Sequence, residues 1–145
     1  MENIPDYFDW NKMKSMSKTL PKNERAPVWT LPDLEGDSLK LKDLLGKYVL
    51  LDFWFIGCGP CNLSIPTLNQ IHNKYIDKNL VVIGINCHSK DVIKVKEYCQ
   101  NRAMEYKNLW KGETIKDSYK INAAPIFYLI DKEGDIVYSQ IGHDD

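Results

Sequence analysis

The segment that most constrains this chain is an apolar run that ends in two cysteines and continues as a helical pattern. Residues 48–55 are apolar at nearly every position, which is typical of a central strand covered on both faces. Cys58 and Cys61 follow directly, and apolar residues at helical spacing then continue to about residue 78. A strand that delivers a dithiol to the N-terminus of a helix indicates a redox site.

Length and composition indicate one ordinary globular domain. The chain has 145 residues, of which 43% are hydrophobic and 27% are charged. Its net charge of -1 gives no basic surface for nucleic acid, so we expect no nucleic-acid partner. No apolar run approaches the roughly 20 residues that a membrane helix requires. Four cysteines are too few for a disulfide scaffold in a chain of this length.

The first residues differ in character from the rest. Residues 1–25 are polar and predict a linker or the end of an upstream domain, whereas residues 26–145 predict the folded domain. The N-terminus lacks the basic and apolar regions of a signal peptide. We therefore expect either a cytoplasmic chain or one whose targeting segment has been removed.

Strands and helices are predicted to alternate along the chain. Two parallel strands joined by a helix make a βαβ unit, and the last two strands make a hairpin. Strands are predicted at 27–34, 48–55, 80–86, 106–110, 126–130 and 136–141, a strand with a helical turn at 38–45, and helices at 61–78, 91–102 and 113–120.

The predicted chemistry depends on which thiol can lose its proton. Cys58 would lie at the N-terminus of a helix, where unpaired N–H groups should lower its pKa and favour the reactive thiolate. Cys61 would lie one turn deeper and resolve the mixed disulfide. Asp52 is the one charge within the buried strand, so burial should raise its pKa. It is the candidate acceptor of the Cys61 proton, through water.

The dithiol spacing has other interpretations. Two cysteines at this spacing also fit half of a zinc site, which would recruit Cys87 and His88, or a disulfide with only a structural role. The buried strand before the dithiol and Pro66 inside the following helix favour the redox interpretation, with no metal or other cofactor. Cys99 is predicted to be a core residue, and a role for Cys87 is left open.

The motifs together resemble the thioredoxin family. The resemblance rests on Cys58-Gly59-Pro60-Cys61, Asp52 before it, Pro66 after it, and Ala124-Pro125 ahead of an apolar strand. It implies a thioredoxin-like three-layer α/β/α sandwich with a central mixed sheet. It also implies that Pro125 is cis and faces Cys58, and that Ala124 offers backbone groups to an extended substrate. The implied substrate-binding residues are Trp54, Gly57, Gly59, Pro60, Ala124 and Pro125.

A narrower resemblance is to the TlpA/ResA-like thiol–disulfide oxidoreductases of bacterial envelopes. It rests on residues 26–47 and on the long stretch between Cys61 and Pro125. It implies an N-terminal β extension, and an insertion between the third strand (80–86) and the strand after the cis-Pro. It further implies reduction of protein disulfides without a cofactor and an upstream thiol reductant as partner. The location would be the periplasm or cell envelope, with membrane contact only through a tether outside this chain. A thiol peroxidase and a non-catalytic binding module remain as alternatives.

The sequence also departs from these families. Gly57 replaces the usual Trp before the first cysteine, so Cys58 is expected to be more open. Val81 or Val82 stands where some ResA-like reductases have a Glu, which leaves proton handling to Asp52. Thioredoxin folds normally end in a further helix, and we expect that helix to be absent from a chain that stops at residue 145. Its absence would leave apolar surface exposed, so we expect either a truncated chain, or cover of that sheet face by residues 5–20 or by a second copy.

Overall fold

The computed structural model of the protein describes Leu20 and residues 23–142. A small hairpin comes first, followed by a five-stranded sheet and two α-helices. The hairpin consists of β1 (Thr30–Pro32) and β2 (Ser38–Lys40), and the helices are α1 (Gly59–Tyr75) and α2 (Val92–Asn101). The sheet strands are β3 (Tyr48–Trp54), β4 (Leu80–Asn86), β5 (Lys107–Leu109), β6 (Ile126–Ile130) and β7 (Ile136–Ile141). Short 3-10 helices cover Leu41–Leu44 and Gly112–Ile115.

The strand that precedes the dithiol is the central strand of the sheet. The strand order is β5-β4-β3-β6-β7. β3 and β5 are both parallel to β4, while β6 is antiparallel to both β3 and β7. Asp52 pairs with Gly84 of β4, and Gly84 pairs with Asn108 of β5. The register therefore aligns these three residues in one row across the sheet.

The two faces of the sheet are covered differently. On one face, Leu50 and Val82 pack in a cluster with Leu68 and Ile71 of α1. Residues of α2 pack on this face too, in a cluster with Trp54. On the other face, Val49, Leu51 and Phe53 belong to a cluster with residues of and next to the N-terminal hairpin and the 3-10 helices: Trp29 before β1, Leu31 of β1, Leu41 of the first 3-10 helix and Tyr119 in the turns after the second. The second outer layer is thus built from hairpin and 3-10 helix within the described chain.

The apolar residues of β6 and β7 on the helical face of the sheet are buried. Phe127, Leu129 and Val137 of β6 and β7 are 4%, 0% and 9% exposed, so this part of the sheet is buried. Most of residues 5–20, which were expected as a possible cover, lie outside the described residues. Leu20 is described: its N–H donates to the Tyr128 hydroxyl at 3.1 Å. The boundary predicted between residues 25 and 26 stays a prediction.

Most of the predicted helices and strands are present in the structure, and some are shorter than predicted because turns end them. The predicted strand 27–34 is limited to Thr30–Pro32, because Asp33 turns the chain by accepting the N–H groups of Glu35 and Asp37. The predicted helix 113–120 is a 3-10 helix over Gly112–Ile115 followed by turns that end at Lys120, whose φ is 54°. No helix in the described part of the chain is long and apolar enough to cross a membrane.

Candidate active site

The two cysteines are joined in a disulfide at the N-terminus of α1. Cys58 and Cys61 have Cα atoms 5.2 Å apart. Cys58 is the N-cap residue, and its Sγ accepts the backbone N–H of Cys61 at 3.2 Å. Pro60 stands in the first turn, where its missing N–H leaves no helical bond unmade. After reduction, the same N–H and the positive end of the helix would stabilise a thiolate at Cys58.

The expectation of an open Cys58 is wrong for this state of the protein. Cys58 and Cys61 are each 4% exposed. Their sulfur atoms pack in a cluster with Trp54, Val95 and Cys99, so the absent side chain at position 57 does not uncover them. The exposed residues around the disulfide are Gly57, with a φ of 89°, Gly59 and Pro60.

Trp54 supports the disulfide from the protein interior. Its side chain is 1% exposed and stacks on Tyr98 of α2, with ring centroids 5.6 Å apart. The indole Nε1 donates to Asn108 Oδ1 at 2.9 Å. Trp54 as a substrate-binding residue stays a prediction; in this disulfide form its buried, hydrogen-bonded indole presents no surface to a protein partner.

The Trp54–Asn108 bond depends on a glycine in the neighbouring strand. A Cβ added at Gly84 would lie 2.0 Å from Asn108 Oδ1, so Gly84→Ala must displace a buried, hydrogen-bonded side chain. We expect the variant to lose about 1–3 kcal/mol in the free energy of unfolding, measured by urea denaturation of the disulfide form. Gly59→Ala is the control, because nothing lies within 4 Å of its Cβ, and should change stability by less than about 0.5 kcal/mol. Equal stability of the two variants would contradict this account.

Asp52 is only 2% exposed and lies on the same sheet face as Trp54, which packs in the cluster of the two cysteines. Burial raises its pKa to about 7, and the Tyr106 hydroxyl opposes part of that rise. Within the described chain, neither Asp52 Oδ1 nor the Tyr106 hydroxyl forms a hydrogen bond of ordinary geometry. The two groups thus influence each other while both retain unused hydrogen-bonding capacity. A carboxyl that titrates near neutral pH can both accept and release a proton under working conditions.

The cis-proline loop meets the dithiol, as the resemblance implies. The Ala124–Pro125 peptide bond is cis. Pro125 is buried, and half-buried Ala124 packs against the cluster that contains Cys58 and Cys61. The structure therefore brings together the two regions that the sequence separates by more than 60 residues.

The other two cysteines are free and buried. Burial raises the pKa of both thiols to about 12, and the charge of Asp52 adds to the effect. Cys87 packs on the sheet face opposite the disulfide, whereas Cys99 belongs to the disulfide cluster. Among residues 23–142 and Leu20, no three His, Cys, Asp or Glu side chains form a group that could hold a metal ion.

Sequence reasoning missed the partners that α2 and β5 contribute. Tyr98 stacks on Trp54, Asn108 accepts the indole N–H of Trp54, and the Tyr106 hydroxyl lowers the pKa of Asp52. The sequence predicted a helix at 91–102 and a short strand at 106–110, but not which of their side chains pack against β3. An Asn within a predicted buried strand was the one available signal, since buried amides require partners.

Comparison with known proteins identifies the family. A profile of the AhpC/TSA family matches residues 23–139. The chain belongs to this family. Among curated relatives, the thiol-disulfide oxidoreductase ResA of Bacillus anthracis is 35% identical over 120 residues, which are 82% of this chain and 69% of ResA. The thioredoxin-like protein YneN of Bacillus subtilis (strain 168) is 29% identical over 141 residues, which are 94% of this chain and 82% of YneN.

Solved structures share the fold of this AhpC/TSA chain. The thioredoxin domain of a thiol-disulfide oxidoreductase from Bacteroides vulgatus has a TM-score of 0.79 and 32% identity, covering 87% of this chain and 92% of that domain. A thiol:disulfide interchange protein from Bacteroides sp. has a TM-score of 0.77 and 31% identity, covering 83% and 81%. These comparisons confirm the predicted thioredoxin-like mixed α/β fold, the resemblance to ResA-like proteins and the class of activity, thiol–disulfide oxidoreduction.

Proposed function

We propose that this protein reduces disulfide bonds in protein substrates by thiol–disulfide exchange. The observation that carries the proposal is the Cys58–Cys61 disulfide at the start of α1, in which Cys58 Sγ accepts the Cys61 N–H. The names of ResA and of the Bacteroides proteins support the same reaction class. Leu20 and residues 23–142 give no comparable observation for the peroxidase or the binding-module alternative.

The proposed reaction transfers one electron pair to the substrate. The Cys58 thiolate attacks one sulfur of the substrate disulfide, and the other substrate sulfur leaves as a thiolate. Cys61 then gives its proton to Asp52 and attacks Cys58 Sγ, which breaks the mixed disulfide and releases the second substrate thiolate. The substrate is reduced, the protein is left with the Cys58–Cys61 disulfide, and an upstream thiol reductant must regenerate the dithiol.

Asp52 is proposed as the acceptor because Cys61 is enclosed. Cys61 is 4% exposed, so bulk water has little access to its thiol. A buried carboxyl with a pKa of about 7 is ionised to a useful fraction at neutral pH and holds the proton once it has accepted it. The transfer is proposed to pass through water, as expected for groups on different elements.

The substrate would bind along the rim of the disulfide. Gly57, Gly59 and Pro60 are exposed there, and Ala124 is half-buried beside Cys58 and Cys61. We propose that an extended substrate segment pairs with the backbone of Ala124, next to the cis bond of Pro125. We place the reaction in the bacterial cell envelope, which is the location that the ResA-like resemblance implies.

The reduction potential of the dithiol tests the proposed direction. A reductase of this kind should have a potential close to the ~-270 mV of thioredoxin, whereas a value near the ~-120 mV of DsbA would make the protein an oxidase. The potential is measured by equilibration with glutathione buffers in a Cys87→Ser/Cys99→Ser background, so that only one dithiol titrates. Turnover with hydroperoxides but not with insulin would instead support the peroxidase alternative.

A further inference from the structure

A buried tyrosine beside Asp52 takes part in no interaction that the mechanism above requires. We propose that Tyr106 is a positioning residue, whose hydroxyl donates to the charged Asp52 carboxylate and holds it ready to accept the Cys61 proton. The inference rests on the proposed function, because it assigns Asp52 the role of proton acceptor. Tyr106 itself would contact neither the substrate nor the sulfur atoms.

The sheet register places Tyr106 on the same face as Asp52. Asp52, Gly84 and Asn108 form one row across β3, β4 and β5. Alternate residues of an extended chain point to the same face, so Tyr106, two residues before Asn108, shares this face. The Asn108 side chain fills the space over Gly84, and Tyr106 packs in a cluster with Leu50 and Val82 on the same face.

The backbone of Tyr106 is held in place from the dithiol side. Asn108 Nδ2 donates to the Tyr106 carbonyl at 3.2 Å, while its Oδ1 accepts the Trp54 indole N–H. Trp54 in turn packs in the cluster of Cys58 and Cys61. The position of the tyrosine is therefore linked to the active site through one amide side chain.

The Asp52 carboxyl and the Tyr106 hydroxyl are both buried, and each is an available hydrogen-bond partner for the other. Asp52 and Tyr106 are 2% and 3% exposed. Neither Asp52 Oδ1 nor the Tyr106 hydroxyl has another hydrogen-bond partner in the described chain, and buried polar groups without partners are rare. Burial raises the pKa of Tyr106, and the charge of Asp52 raises it further, so the hydroxyl keeps its proton and acts as a donor.

Few other groups near Asp52 can titrate. The charge of Asp52 raises the pKa values of Cys99 in α2 and of Cys87 after β4, and Cys99 packs in the cluster that contains Cys58 and Cys61. Among the described residues, no Lys or Arg acts on the pKa of Asp52, and the Tyr106 hydroxyl is what opposes the effect of burial. Removing that hydroxyl should therefore raise the pKa of Asp52 and reduce the fraction of carboxylate at neutral pH.

Tyr106→Phe tests the proposal because it deletes only the hydroxyl. We expect the pH midpoint of the resolving step to move upward by about one pH unit or more, with normal rates restored at alkaline pH. The step is followed by rapid mixing from a preformed mixed disulfide on Cys58. The pKa of Asp52 is read independently from its carboxyl carbon signal in NMR of the reduced protein. Tyr75→Phe is the control: Tyr75 is 5% exposed in the same cluster, and its variant should leave both readouts unchanged.

The outcomes separate this inference from the proposed function. An unmoved carboxyl titration in Tyr106→Phe, or an equal loss of rate at every pH, would overturn the positioning role and leave a packing role. A shifted titration without a shifted rate profile would support the contact but contradict Asp52 as the acceptor. If Tyr106→Phe does not fold, a fluorotyrosine at position 106, which is a stronger donor, should lower the midpoint; an unchanged midpoint would overturn the proposal.

Discussion

Cys58→Ser is expected to abolish the reduction of insulin disulfides, with a loss on the order of a thousandfold or more. A serine hydroxyl stays protonated near neutral pH and forms no disulfide, so the N–H of Cys61 would have no thiolate to stabilise. The measurement is the rate of insulin precipitation in the presence of dithiothreitol. A variant that retained the parent rate would show that Cys58 is not the nucleophile.

Two further cysteine variants serve as controls for this result. Cys61→Ser keeps the nucleophile but lacks the resolving thiol, so mixed disulfides with substrates should accumulate on Cys58 and become visible by non-reducing electrophoresis. Cys87→Ser removes a buried thiol on the opposite sheet face and should retain the parent activity. Loss of activity in Cys87→Ser without loss of folding would mean that the disulfide is not the sole redox group.

The core of the site was predictable because its signals are local in the sequence. A continuous apolar run predicted β3, and the structure places that strand at the centre of the sheet. Cys58, Cys61 and Pro60 lie within four consecutive residues, so helix geometry alone fixes their relation. Asp52 was singled out as the only charge in a buried strand, and its burial is confirmed.

The surroundings of the site were not predictable, because they depend on strand register and helix packing. Trp54 was expected at the substrate surface, but Tyr98 and Asn108 hold it inside the protein. Both residues lie more than 40 positions after Trp54 in the chain. The sequence indicated α2 and β5 but not which of their side chains would meet β3. The same reason explains Cys58, whose exposure depends on where its sulfur points rather than on Gly57 beside it.

Asp52→Asn is expected to stabilise the disulfide form relative to the parent protein, by an amount that grows as the pH rises. The folded-state pKa of Asp52 is about 7, against about 3.9 in an unfolded chain, so the folded protein binds the proton more tightly. Between these values the folded state carries more protons than the unfolded state, and the free energy of unfolding of the parent therefore falls as the pH rises. Three pH units at 1.4 kcal/mol each give a loss of about 4 kcal/mol, complete above about pH 7 and absent below about pH 4.

The amide of Asp52→Asn does not titrate, so the stability difference between variant and parent should grow across this window. Urea unfolding of the disulfide form at about pH 4, 6 and 8 measures it. Asp77→Asn, which changes an exposed carboxyl just after α1, should show no comparable trend.

The same Asp52→Asn variant should slow the resolving step on the order of a hundredfold, because Cys61 loses its proton acceptor. A stability difference that does not change with pH would show that the pKa of Asp52 is not raised in the folded protein. Stabilisation without a slower resolving step would mean that Asp52 destabilises the folded protein without contributing to catalysis. The two measurements together therefore decide whether the buried carboxylate acts in the reaction.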